Sequence, residues 1–260
     1  MNPMIRKELR QRMRERRAWI LPSLYLIVLG SVVTLAYFTM LSASRAWWGN
    51  EPQGADVGTT LFVSVAYTQL AVLLIIAPVF SAGAITIEKE QRTLAALLTS
   101  LLSTREIWWG KFVAALLFQI FLLISAVPVL ALAFAFGGVG WRELGIATLT
   151  TLVVAASLSA VGLISSAYFR RTIHATAVTY AVVIILTAVT GIAAFWLSGD
   201  HRERIPIPLY LNPIFTMSEG LFGRQQNLIR WGISLAAFLA LGLASAVAAI
   251  AVLRRGGEQI

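Results

Sequence analysis

The sequence predicts an all-α polytopic membrane protein with six transmembrane helices. Hydrophobic residues make up 58% of the 260 residues and charged residues 13%, about half the charged share of soluble domains. Six apolar runs reach the roughly 20 residues that a helix needs to cross the hydrocarbon core of a bilayer. These predicted spans, numbered 1 to 6 in chain order, cover 19–41, 61–87, 112–136, 144–169, 175–197 and 231–253 of a single membrane domain, 1–260.

The positive charges predict how the spans are oriented. Of the 21 Lys and Arg residues, fifteen lie before span 1, after span 6, or in the loops that join spans 2 to 3 and 4 to 5. The other three loops share six. Because cytoplasmic loops are enriched in Lys and Arg, we expect both termini in the cytoplasm. The net charge of +9 then indicates contact with anionic lipid headgroups, and no nucleic-acid-binding motif accompanies it.

The segment before span 1, residues 1–18, predicts a basic amphipathic helix. Ile5, Leu9 and Met13 recur every four residues along one face, and Arg6 and Arg10 are among the basic residues around them. Such a helix lies in the membrane interface. It is either an anchor that fixes the topology or, in addition, a lever that moves with a cytoplasmic partner. The first apolar run is too long for the core of a cleaved signal peptide, so we keep it as a span.

The loop between spans 2 and 3 predicts a helix of its own, over 88–104. Its leucines recur at the spacing of one helix face, and Glu88 and Arg92 are one turn apart, which permits an ion pair. Ser103 and Glu106 have the spacing of a capping box that starts the helix leading into span 3. Such a segment either contacts a partner outside the bilayer or rests on the lipid headgroups.

The spans themselves predict neither an ion-coupled carrier nor an enzyme. Every charged residue falls outside the predicted spans, whereas ion-coupled transporters keep ionisable groups at membrane depth. Cysteine is absent, and no metalloprotease motif or Ser–His arrangement occurs. Gly110–Lys111 lacks the glycine-rich context of a phosphate-binding loop. We therefore assign no catalytic, cofactor-binding or metal-binding residue, and any ATP hydrolysis requires a separate chain.

The loop before span 6, residues 198–230, predicts a short helix on the outer side. Asn212 and Pro213 form a helix start, and Phe215 belongs to its apolar part. We expect a re-entrant or interfacial cap over the outer mouth, with a helix lying on the membrane surface as the alternative. Within the spans, Pro78 and Pro128 can kink spans 2 and 3. Small residues on span 6 predict close helix contacts, within one subunit or between two.

Residues 88–111 resemble the signature between spans 2 and 3 of permeases in the type-2 family of ATP-binding-cassette (ABC) exporters. The Asn-Pro opening of the chain and Asn212–Pro213 are also typical of that family, and the six-span layout extends the resemblance over nearly the whole chain. The matching signature residues are Glu88, Glu90, Arg92, Thr93, Leu97, Leu98, Ser103, Glu106, Ile107, Gly110 and Lys111.

The resemblance implies the permease subunit of an ATP-driven exporter in a bacterial cytoplasmic (inner) membrane. Two copies of a cytoplasmic ABC ATPase would carry the ATP and Mg²⁺, and this chain would bind no cofactor. A second copy of the chain, or a homologous permease, would complete a dimer surrounded by membrane lipids. The resemblance assigns ATPase docking to Glu88, Glu90, Arg92, Thr93, Leu97 and Leu98, and the start of span 3 to Ser103, Glu106, Gly110 and Lys111.

Two other functions fit the same sequence. The chain could be a membrane scaffold or signalling subunit that docks to an ABC ATPase without transporting anything. Less favoured is an ATP-independent carrier, for which an ionisable residue deep in a span would be expected. The sequence does not specify the substrate, because uncharged spans suit a lipid-like cargo and also a polysaccharide or peptide.

Overall fold

The computed structural model describes residues 17–47, 54–93, 103–192, 207–222 and 225–257. The predicted basic helix, with Ile5, Arg6, Leu9, Arg10 and Met13, lies outside these residues. So do 94–102 of the loop between spans 2 and 3, including Leu97 and Leu98, and 193–206 of the loop before span 6.

Six helices in the described part of the chain are long and apolar enough to cross a membrane, which confirms the predicted all-α fold class. Spans 3 and 5 are interrupted, and a 3₁₀ turn and a short helix, here called the loop helix, precede span 6. The bounds are Arg17–Trp47 for span 1, Gly54–Glu90 for span 2, Thr104–Ser125 and Val127–Phe136 for span 3, Trp141–Tyr168 for span 4, Thr172–Ile184 followed by a π-helical turn Ile185–Val189 for span 5, Ile207–Leu211 for the 3₁₀ turn, Pro213–Phe222 for the loop helix, and Gln225–Gly257 for span 6.

Spans 2 and 4 form the centre of the bundle. In each of them 61% of the most apolar stretch is buried, against 11% in span 1 and 22% in spans 5 and 6. The two central helices approach closely where Gly162 of span 4 lies on Ser81 of span 2, because a Cβ at Gly162 would overlap the Ser81 hydroxyl. A buried hydrogen bond of 2.8 Å from Gln119 Nε2 to Ser159 Oγ joins span 3 to span 4.

The two prolines have different effects. Span 3 is broken at Ala126, and Pro128 lies in the first turn of the second helix. This break follows from the chemistry of proline, which has no amide hydrogen to donate and whose ring crowds the preceding turn. Span 2 continues through Pro78 as one helix from Gly54 to Glu90. A proline in a membrane helix therefore permits a break without requiring one.

One end of the bundle, here called the base, contains the end of span 2, the start of span 3, the end of span 4 and the start of span 5. An apolar cluster lies beneath it, in which the Trp108 and Phe112 rings are stacked at 4.9 Å between centroids. The last turns of span 6 reach this cluster. Tyr37, near the end of span 1, contacts Phe136 at the far end of span 3, so the start of span 1 also lies toward the base. The buried members of the cluster are Ile85, Trp108, Ala160, Leu163, Ala167, Ala249 and Leu253. The opposite end, here called the rim, contains the loop helix.

The helices are longer than the apolar runs that predicted them. Span 2 continues through Glu88 to Glu90 as the same helix, so the first residues of the helix predicted over 88–104 belong to span 2, while 94–102 lie outside the described residues. Hydropathy marks only the part of a helix that suits hydrocarbon, whereas backbone hydrogen bonding continues until a residue ends it. Charged residues predicted to lie in a loop are thereby placed on the ends of spans, next to neighbouring helices.

Candidate functional site

Three consecutive side chains at the end of span 2 contact three different helices at the base. They are Glu88, Lys89 and Glu90. Successive residues on a helix point about 100° apart, so each of the three faces a different neighbour. We call these residues and their partner Lys111 the base clasp.

Glu88 forms an ion pair with Lys111 of span 3. The distance from Lys111 Nζ to Glu88 Oε1 is 2.8 Å, and the two side chains are 2% and 15% exposed. Lys111 Nζ also donates to the Ala84 carbonyl at 2.7 Å. A buried ammonium group requires a counter-charge and acceptors for its protons, and span 2 supplies both. This pair therefore fixes the start of span 3 against the end of span 2.

Lys89 binds the carbonyl end of span 4. Its Nζ donates to Ser166 O at 3.0 Å, to Phe169 O at 2.9 Å and to Ala167 O. The last carbonyls of a helix have no partner within the helix and carry its negative partial charge. A lysine from a neighbouring helix satisfies both the hydrogen bonding and the charge. Span 4 thus ends on a cation that belongs to span 2.

Glu90 binds the amide end of span 5. Its Oε1 accepts a hydrogen bond of 2.7 Å from the Thr172 amide. Arg171, at the capping position of that helix, makes no side-chain capping bond, so the carboxylate from span 2 takes that role. Negative charge is favoured at a helix start. The Thr172 hydroxyl also donates to Thr86 Oγ1 at 2.9 Å, a second bond between spans 5 and 2.

Ser166 completes the connection between the central helices. Its Oγ accepts hydrogen bonds of 2.9 Å from the amides of Ile85 and Thr86. With these bonds, the ends of spans 2, 3, 4 and 5 are joined within one polar layer at the base. A displacement of the end of span 2 consequently acts on four spans together.

Span 2 ends at Glu90, and the turn that follows it, at Arg92 and Thr93, closes the helix. The Thr93 amide donates to Glu88 O at 2.9 Å and the Arg92 amide to Lys89 O at 3.2 Å. Arg92 has φ 58°. This is the bonding pattern of a Schellman motif, which usually places glycine at the left-handed position. Arg92 and Thr93 are both exposed, so this turn is the accessible part of the site.

The partners of the predicted docking residues in the structure differ from those that the sequence predicted. The predicted spacing permitted a Glu88–Arg92 pair, but among the described residues Glu88 pairs with Lys111 instead. Glu90 faces span 5, and Arg92 and Thr93 are exposed, the Thr93 hydroxyl donating to the Glu88 carbonyl at 3.4 Å. Lys89 was missed, although its position between two glutamates at a helix end was a visible signal.

The start of span 3 has the capping box that the sequence predicted. Ser103 Oγ accepts from the Glu106 amide at 3.3 Å, and Glu106 Oε2 accepts from the Ser103 amide at 2.8 Å. These reciprocal bonds form the predicted capping box. Gly110 is buried beside Lys111 in the same helix.

At the rim, Asn212 and Pro213 start the loop helix as predicted. Asn212 Oδ1 accepts from the amides of Ile214 at 2.9 Å and Phe215 at 3.1 Å. Glu219, on the same helix, has a buried Oε2 without a hydrogen-bond partner among the described residues. Burial raises the pKa of this carboxyl group, and the positive charge of Arg230 offsets part of that rise.

Comparison with known proteins gives one result for the whole chain. A family model described as "ABC-2 family transporter protein" matches residues 3–252. No curated protein was found to match the sequence.

Proposed function

Since the chain belongs to the ABC-2 family of transporter proteins, we propose that it is the membrane-spanning permease subunit of an ATP-driven exporter. A separate ABC ATPase binds ATP and Mg²⁺ and supplies the energy. This chain supplies the path across the membrane and the surface on which the ATPase docks.

The base clasp is the observation that carries the proposal. An ATPase outside the membrane can drive transport only if its movement reaches several helices at once. The exposed turn at Arg92 and Thr93, themselves predicted docking residues, leads directly into residues 94–102, which include the predicted docking residues Leu97 and Leu98. The residues immediately before that turn bind spans 3, 4 and 5. A displacement of the docking segment is therefore transmitted to four helix ends.

The charges near the base support a cytoplasmic location for this end. Arg92 and Arg105 flank the segment 94–102, Arg170 and Arg171 lie between spans 4 and 5, and the last turn of span 6 contains two more arginines. Positive residues mark the cytoplasmic side. The base then faces the ATPase, both termini are cytoplasmic, and the rim faces the outside of a bacterial inner membrane.

Export also requires a second permease beside this chain in the membrane. We infer that a second permease, either a copy of this chain or a homologue, forms a dimer with it on two ATPase copies. Span 6 presents Ala240 and Ala244 on its outer surface, where small side chains permit close contact. Gly242 of the same helix packs on Ser157 of span 4, so the small residues on that face serve the subunit's own core.

A charge reversal at the exposed turn tests the docking. The protein is purified from its native membranes in mild detergent, and any co-purified ABC ATPase is identified by mass spectrometry and by its ATP hydrolysis. We expect an ATPase with the wild type and at least about a tenfold lower yield with Arg92→Glu, because placing a like charge against the surface that Arg92 contacts costs several kcal/mol.

Arg142→Glu is the matched control. Arg142 is exposed at the opposite end of the bundle, on the first turn of span 4, and its reversal makes the same change in net charge. It should leave the ATPase yield unchanged. Recovery of no ABC ATPase with the wild type, or equal loss with both variants, would contradict the proposed docking. Movement of a substrate into sealed vesicles, driven by ATP, then distinguishes an exporter from a scaffold.

A further inference from the structure

Span 5 changes its helical geometry near the rim, next to the loop helix. Residues Ile185–Val189 form a π-helical turn. The Thr190 amide donates to the Ile185 carbonyl, five residues earlier, and to Thr187 O. A π turn widens the helix, disturbs the regular carbonyl ladder and often lies at a functional position.

Asn212 uses its whole hydrogen-bonding capacity at this point. Its Nδ2 donates to Thr187 O at 2.9 Å and to Thr190 Oγ1 at 2.9 Å. Its Oδ1 accepts from the first amides of the loop helix, as described above. An asparagine side chain has two amide hydrogens and one carbonyl oxygen with two lone pairs, so all four positions are filled. The residue is 3% exposed.

Capping the loop helix does not explain this arrangement by itself. A cap requires only a side-chain oxygen, which aspartate, serine or threonine supplies equally well. The two amide hydrogens of Asn212 are the part that aspartate lacks, and both bind span 5. Thr190 in turn donates its hydroxyl hydrogen to Leu186 O at 2.7 Å, which leaves its oxygen as the acceptor for Asn212.

The loop helix is held on its other side by packing. Gly220 lies so close to span 4 and to the start of span 6 that a Cβ there would come within 2.5 Å of Ile146 Cγ2 and 2.9 Å of Trp231 Cδ1. Trp231 Nε1 donates to Thr150 Oγ1 of span 4 at 2.8 Å. The loop helix is therefore fixed to spans 4 and 6, and Asn212 extends that connection to span 5.

We propose that Asn212 is the positioning residue that couples the loop helix to the rim end of span 5. Residues 187–192 move with the loop helix, and the π turn absorbs the bend when span 5 moves against them. In the exporter proposed above, this coupling sets how far the rim opens, and in that role it rests on the proposed function. The coupling itself is a property of the permease alone.

Electron paramagnetic resonance tests the coupling without nucleotide or ATPase. Cysteines are introduced at Ile192 and Phe222, which are 59% and 62% exposed, and nitroxide labels are attached; the chain has no native cysteine. In lipid nanodiscs the wild type should give one narrow distance distribution. Asn212→Asp keeps the cap and loses both amide donors, so we expect a second, longer distance.

Thr190→Val and Thr190→Ser form the matched pair. Valine removes the oxygen that accepts one hydrogen bond from Asn212. The fraction of molecules that show the longer distance should therefore rise about fivefold, a change of about 1 kcal/mol. Serine keeps the hydroxyl and should resemble the wild type. Unchanged distributions in Asn212→Asp and Thr190→Val overturn the proposal, as do equal distributions in the valine and serine variants. If Asn212→Asp fails to fold, the Thr190 pair decides alone. Failure of ATPase docking leaves this result unaffected.

Discussion

At the base of the bundle, charged side chains join four spans, whereas at the rim uncharged amide and hydroxyl groups join the loop helix to span 5. The buried Glu88–Lys111 pair has a complete counter-charge. Glu88 and the rim carboxylate Glu219 each have one oxygen without a hydrogen-bond partner among the described residues, but Glu88 is paired with Lys111, whereas Arg230 only offsets part of the rise that burial causes in the pKa of Glu219. The free energy needed to separate neighbouring helices therefore differs between the base and the rim.

The difference indicates which end of the bundle is held together more strongly. Separating a buried ion pair leaves two uncompensated charges, a cost of several kcal/mol. A neutral hydrogen bond contributes about 1 kcal/mol. In the exporter proposed above, movement applied at the base is accordingly passed on as a block, while the rim, joined by weaker bonds, adjusts through the π turn of span 5.

The largest expected effect comes from breaking the ion pair. Lys111→Met leaves the Glu88 carboxylate buried without its counter-charge, and we expect a loss of about 3–5 kcal/mol in the free energy of unfolding. Glu88→Gln should be destabilising for the same reason. The measurement is reversible unfolding in mixed detergent micelles.

The double variant Glu88→Gln/Lys111→Met sharpens this test. With both charges removed, most of the lost stability should return, because no uncompensated charge remains. If the two single losses simply add in the double variant, the pair does not act as a unit and the comparison between base and rim fails at its strongest contact.

Next in size is the loss of Lys89. Lys89→Met removes the cation that binds the last carbonyls of span 4, and we expect about 2 kcal/mol of destabilisation, since hydrogen bonds to charged groups contribute roughly 1.5–3 kcal/mol. Faster hydrogen exchange should appear at residues 166–172, where spans 4 and 5 meet. Arg105→Met, at an exposed base residue, is the control and should change stability by less than about 0.5 kcal/mol. Equal effects of the two would show that Lys89 makes no specific contribution.

Local sequence patterns were sufficient to predict part of this structure. Ser103 and Glu106 form their capping box, and Asn212 and Pro213 start a helix, because each motif depends on residues a few positions apart. The six spans follow from hydropathy in the same way. The resemblance of residues 88–111 to a transporter signature identified the family that the later comparison showed.

Local sequence patterns could not predict the contacts of the base clasp. Glu88 and Lys111 are 23 positions apart, and Thr172 is 82 positions from Glu90. Their pairing depends on which helices are neighbours and at what height each one ends. The Glu88–Arg92 spacing suggested an ion pair within one helix, but the helix ends between them, and a buried lysine offers Glu88 a partner in a less polar surrounding. The π turn in span 5 carries no proline or glycine that would mark it.

The smallest expected effect concerns Arg92, and it separates stability from docking. A left-handed conformation costs a residue with a Cβ roughly 1–2 kcal/mol, so Arg92→Gly should stabilise the permease by about 1 kcal/mol, whereas Arg92→Ala keeps the Cβ and should unfold like the wild type. Both variants lose the guanidinium group, and both should therefore recover less ATPase in the co-purification. A glycine variant that is more stable yet binds the ATPase no better than the alanine variant would establish that Arg92 is retained for the partner at the expense of the helix end. If glycine brings no stability, the turn is not strained; if both variants bind the ATPase normally, the contact lies elsewhere at the base.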